Sequence, residues 1–201
     1  EMDYAAEPHS IIWIRRADGT LVGLTYNRDE NVIGWHRHDL AGGTVETLAV
    51  VPQKDQLQDA LWVVVRREVN GVTRRYVERL TRFWDFDTEL ADAHYVDSGL
   101  RYKGAAVDTV YGLQHLEGQE VYGLADARPV GPFTVTDGKV TLPYEAENVV
   151  IGLGFDSEGI LPRLENGAKD GTAQGKVKRI NSLVVSVWNS FNGEIGVFNE
   201  Q

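Results

Sequence analysis

From Ile11 to His38 apolar and polar residues alternate at a period of two, the pattern of half-buried strands and not of helices. Ile12 and Ile14 precede Asp18-Gly19, and Val22, Leu24 and Tyr26 follow it, so the segment predicts a hairpin closed by a primed turn. The run VIGWHRH supplies a third strand. Strands are expected over Ile11–Arg16, Thr20–Asn27, Val32–His38, Thr44–Val51, Ala60–Val69 and Thr73–Leu80, with Asn70-Gly71 closing a second hairpin. Met2–Ala6 reads as the end of a helix. As propeller blades, the first three strands are the second, third and outer strands of one four-stranded unit, and the next three are inner strands of the following one. A blade needs roughly 40–50 residues, so this first zone holds only part of a ring.

After the connector Trp84-Asp85-Phe86-Asp87 the texture changes to short runs separated by glycine turns: Val121–Leu124, Phe133–Thr136, Lys139–Leu142 and Asn148–Phe155. Asp137-Gly138 is another hairpin signal, and Pro129, Pro132, Pro143 and Pro162 fall where edges or loops are expected. A small β-barrel over residues 97–171 is the simplest reading. Gly167–Gly175 is a flexible stretch, and Lys176–Trp188 a further strand or strand pair. The fold class expected is all-β, with partial β-propeller-like antiparallel strands over residues 1–96 and a small barrel after them. The strands Thr44–Val51 and Val184–Trp188 are expected to present open edges.

Composition agrees with strands and turns. The 201 residues include 21 glycines, 8 tyrosines, 5 tryptophans and a single methionine, which suit a sheet protein of one or two domains better than a helical bundle. With no cysteine, disulfides and thiolate metal sites are excluded, which fits assembly in a reducing cytoplasm. No apolar run approaches the roughly 18 residues of a membrane helix, and no signal peptide opens the sequence. Glu1 in the place of an initiator methionine points to a processed or excised chain. The net charge of −10, from 30 acidic and 20 basic residues, argues against tight binding of nucleic acid. It fits equally a conduit along which DNA slides and ordinary solubility.

The one basic cluster is Arg74, Arg75, Arg79 and Arg82, with Arg66 and Arg67 on the strand before it. Interleaved Glu68 and Glu78 favour cross-strand ion pairs over a continuous basic stripe. His36 and His38 share a strand face, as two metal ligands would, but no third ligand is specified. Glu145 and Glu147 could imitate a glycosidase pair, although carboxylates two apart usually mark a solvated face. No GxSxG elbow, P-loop or helix-opening GxGxxG occurs, so no catalytic residue, metal or cofactor is expected. Tyr102, Tyr111, Tyr122, Tyr144 and Phe133 could either form a stacking platform for sugar or fill the barrel core; core packing is favoured.

Four segments carry a resemblance: PHSIIWIRRADGTLVGLTYNRDENVIG, NGVTRRYVERLTR, LQHLEGQEVYGLADARPVGPFTVTDGKVTLPYEAENVV and GTAQGKVKRINSLVVSVWNSFN. In order and spacing they resemble the tail tube or nozzle proteins of short-tailed bacteriophages, often described as containing a domain like the FCCH domain of ubiquitin-activating E1. The resemblance implies a structural virion protein, made in the cytoplasm of the bacterial host, with no enzymatic activity and no cofactor. It implies that the barrel is inserted into the first domain and that residues 172–201 return to pack on residues 1–96. It further implies a ring, hexameric in the full assembly, that docks an adaptor protein and tail fibres and passes DNA without holding it. Arg74, Arg75, Arg79, Arg82, Tyr111, Tyr122 and Tyr144 are then candidate contact residues. The alternative is a carbohydrate- or receptor-binding tail module and, behind it, a carboxylate-dependent hydrolase.

Overall fold

The structure is a computed structural model that describes residues 1–54, 58–84, 88–161, 179–187 and 193–196. Residues 1–155 form one compact unit and residues 156–201 a second. The described residues are all-β, with eleven strands in three antiparallel sheets and two single turns of 3-10 helix, Leu90–Asp92 and Gln114–Leu116.

Sheet A is a meander of β1 (Met2–Ala5), β2 (Ile11–Arg15), β3 (Leu21–Asn27) and β4 (Val32–His38) in sequence order. The helix end expected over Met2–Ala6 is instead β1, paired antiparallel from Met2 opposite Ile14 to Ala5 opposite Ile11. A lone helical turn leaves its backbone groups unpaired, whereas the free edge of β2 satisfies them. The first hairpin forms where expected, but its turn is not primed. Only Gly19 has positive φ, at 83°; its N–H donates to the Arg16 carbonyl at 3.0 Å, and Arg16 N–H donates to Thr20 at 2.9 Å. This is a type I turn followed by a left-handed glycine, which a three-residue loop requires. At Asn70-Gly71 both residues are left-handed, with φ of 52° and 72°, the expected primed turn.

The buried face of sheet A differs from the one alternation picked out. Ile11, Trp13 and Leu21 are buried, while Ile12, Ile14, Val22 and Leu24 are only partly covered and Tyr26 is exposed. These strands are apolar on both faces, so their period cannot say which face meets a partner.

That partner is sheet B, made of β5 (Thr44–Val51), β6 (Ala60–Val69) and β7 (Val72–Arg79) in sequence order. Ala5, Ile11, Trp13 and Leu21 pack against Val45, Leu48, Leu61, Val63 and Val65 in one core. The edge of β5 is not left open: Val45 N–H donates to the Gly19 carbonyl at 2.9 Å and Val50 N–H to the Asp3 carboxylate at 2.7 Å. Sheet A thus caps the edge that the sequence left without a neighbour.

Sheet C holds β8 (Asp97–Tyr111), β9 (Glu120–Ala125), β10 (Arg128–Thr134) and β11 (Lys139–Leu153), in the order β10-β9-β11-β8. Strand β8 was not foreseen, and the runs at Lys139 and Asn148 are the two halves of one strand. Pro143 does not end β11. It lies where the pairing with β8 shifts register, between Thr141 and Ala146, so the missing N–H costs no ladder bond. Leu113, Leu116, Val121, Val135, Val140, Val149 and Ile151 fill the core of this sheet.

In the second unit, residues 179–187 lie in no strand and are exposed, although a strand was expected over Lys176–Trp188. An isolated strand has no ladder to hold it, and no described residue pairs with this one. Residues 176–178 and 188, the connector at Asp85–Asp87, and the stretch from Pro162 through Gly175 lie outside the described residues.

Candidate functional site

The arginines divide between the two faces of sheet B. On the outer face a bulge between Val45 and Thr47 turns Glu46 towards β6 and β7. There Arg75 Nε donates to Glu46 Oε2 at 2.6 Å, and Arg66 Nε lies 3.8 Å from Oε1. The Arg75 hydrogen bond holds the Glu46 carboxyl below its ordinary value, and Glu46 holds the Arg75 guanidinium above its own. Arg79 lies over the Trp62 ring, 5.9 Å from its centroid. Arg74 and Arg82 are exposed.

Arg67 lies on the inner face and is only 3% exposed. Its guanidinium meets Glu78 through two bonds, Nε to Oε1 at 3.2 Å and Nη2 to Oε2 at 3.0 Å. Nη1 donates to the carbonyls of Leu40 and Ala41. Ion pairing therefore involves Glu46 and Glu78; no ion pair of Glu68 is among those of the described residues.

Asp97, the first residue of β8, faces the Arg67–Glu78 pair. Its Oδ2 is buried without a hydrogen-bond partner. Burial pushes its carboxyl up to about 6; Arg67 opposes that rise and Glu78 adds to it. Tyr76 Oη on β7 donates to the His115 carbonyl at 3.2 Å, and His115 Nε2 lies 2.8 Å from the Ser98 carbonyl oxygen. Sheets B and C therefore meet through polar groups. Against sheet C, Asp92 of the 3-10 turn Leu90–Asp92 accepts from Asn148 Nδ2 at 2.6 Å and also meets Arg101 and Lys103, contacts that hold its carboxyl below the ordinary value.

The aromatic candidates do not assemble into one platform. Tyr111 and Tyr122 are exposed but lie near opposite ends of β11, opposite Lys139 and Gly152. Tyr102, Tyr144 and Phe133 pack on the core of sheet C. Tyr144 Oη donates to the Ala125 carbonyl at 3.1 Å, and Arg128 lies 5.8 Å over its ring.

His36 and His38 do share a face, the inner one, against Trp13. His36 Nδ1 lies 2.7 Å from His38 Nε2, and its own Nε2 meets Thr25 Oγ1 at 3.1 Å. Burial lowers the pKa of both rings, and with the neighbouring His36 it takes His38 to about 4. Among the described residues no three His, Cys, Asp or Glu side chains gather as metal ligands would. Glu145 and Glu147 are both exposed.

Sequence reasoning passed over two features. Arg67 falls on the buried parity of β6, in register with Leu61, Val63, Val65 and Val69, a signal that was available in the alternation itself. Asp97 carried no such signal, because β8 was not recognised. The geometry defines an antiparallel all-β protein whose charged groups join sheets, and no described helix is long and apolar enough to cross a membrane. No protein-family model matches the chain, and no curated protein is similar to it.

Proposed function

We propose that the chain is a structural component of the tail nozzle of a short-tailed bacteriophage, forming part of the conduit for DNA ejection. The observation that carries this reading is the topology of the first 79 residues: a four-stranded meander followed directly by a second meander, packed face to face. Consecutive propeller blades are built in this way. The order of the four resembling segments supports the same reading. On this reading residues 97–171 are the inserted barrel and residues 172–201 return to the first domain. The full-length protein forms a ring, hexameric in the assembled tail, that docks the adaptor and the tail fibres. Its function lies in surfaces and not in catalysis, and the net charge of −10 keeps passing DNA from sticking. The protein is made in the host cytoplasm and resides in the virion.

The test is electron microscopy of the full-length protein purified with its adaptor. Rings with a central channel are expected. Turnover of a polysaccharide or of peptidoglycan by the purified protein, abolished in Glu145→Gln, would overturn the reading.

A further inference from the structure

The outer face of sheet A is apolar and has no partner within the described unit. Cross-strand pairing places Tyr4, Ile12, Leu24 and Trp35 in one row, with Met2 beside it on β1 and Tyr26 opposite Ile33 at the far end. Met2 is 72% exposed, Ile33 67% and Trp35 65%, and Tyr4 and Tyr26 are also exposed. We propose that this face, which in the propeller of the full-length nozzle would meet a neighbouring blade, pairs two copies of the present chain as a homodimer interface, on which the outer face of sheet A of a second copy packs.

Three observations favour a second copy. The first is size. With an aromatic side chain offering about 150–250 Å², the five exposed residues alone present roughly 600 Å². That reaches the upper end of the roughly 300–600 Å² that a monomer usually leaves bare in one patch and, with the partly covered residues between, approaches the roughly 800 Å² per partner of a stable complex. The second is composition: Tyr, Trp, Met and Ile are the residues of an interface core. The only charged side chain in these rows is Arg37, at the corner opposite Val22, and it is already paired with Asp39 at 2.7 Å. A face whose one charge is already neutralised in an ion pair at its corner lets two copies of a chain of charge −10 approach. The third is architecture. The same sheet already packs its inner face on sheet B, and a sheet whose second face is also apolar can pack it on its own copy in the aligned manner of a sandwich. Sugar recognition is disfavoured because the rows offer few hydrogen-bonding groups between the rings for hydroxyls to meet.

Sedimentation equilibrium of the full chain is the direct test, and a dimer is expected. Trp35→Glu together with Ile33→Lys, both at exposed positions, should raise the dimer dissociation constant at least about 100-fold with unchanged circular dichroism. The chain has no cysteine, which permits a second measurement that needs no disruptive variant. Leu24→Cys, at the centre of the face, should oxidise to a disulfide-linked dimer, while Val77→Cys on the exposed outer face of sheet B should not. A wild-type chain that stays monomeric at hundreds of micromolar, a dimer that persists in the double variant, or cross-linking through Val77→Cys alone would overturn the proposal. Binding of the monomer to an insoluble polysaccharide, lost in Trp35→Glu, would overturn it in favour of a glycan.

Discussion

Replacing Asp97 by Asn should stabilise the protein at alkaline pH and do almost nothing in acid. The carboxyl is largely buried, its Oδ2 has no partner, and Glu78 faces it across the junction of sheets B and C. Burial raises its pKa from the ordinary 3.8 to about 6. Between those values the folded state holds a proton that the unfolded chain has released, so stability falls as pH rises through the folded pKa. At about 1.4 kcal/mol per pKa unit the shift sets an upper bound near 3 kcal/mol, which partial solvent access reduces to about 1–2 kcal/mol. Asn keeps the shape and removes the charge. Urea unfolding should therefore show Asp97→Asn more stable than wild type by about 1–2 kcal/mol at pH 8, shrinking to a few tenths at pH 4. A gain that is the same at both pH values, or a loss at pH 8, would refute the account of this junction.

His38 titrates in the opposite sense. Its folded pKa is lowered to about 4, so the stability it contributes is lost as pH falls from 6.5 towards 4; His36 and His94, also lowered by burial, act in the same sense, and in Asp97→Asn this acid-side loss should persist in urea titrations across that window. Arg67→Met removes the partner of the partly buried Glu78 and takes a donor from the Ala41 carbonyl, while the Leu40 carbonyl keeps the Gly43 N–H, which should cost about 3 kcal/mol by urea unfolding at pH 7. Gly123→Ala would drive a Cβ into the Val150 carbonyl oxygen on the neighbouring strand, and a loss of about 2–3 kcal/mol in thermal unfolding is expected. Duplex DNA at low salt should show no micromolar affinity for the chain; tight binding that weakens steeply with salt would sink the conduit reading.

The sequence by itself determined where the strands between residues 11 and 80 lie, though not β1 before them. All six strands read from alternation and turn dipeptides agree with the structure to within one residue at each end, three of them with no difference at either end, because hairpin chemistry such as Asn70-Gly71 acts over only a few residues. Its limits have the same origin. Strands β2 and β3 are apolar on both faces, so only packing against Val45, Leu61 and Val65 decided that Ile11 and Trp13 would be buried and that Ile12 and Leu24 would be only partly covered. Strand β8 was invisible in sequence because most of its residues are exposed or half-exposed and only its long pairing with β11 defines it. The arginine cluster was legible as a cluster, yet the division of labour within it was not. A bulge at Glu46 brought Arg66 and Arg75 to one carboxylate, while the parity of β6 sent Arg67 inward to Glu78. Periodicity reports which residues share a face, and only the tertiary partner decides what that face meets.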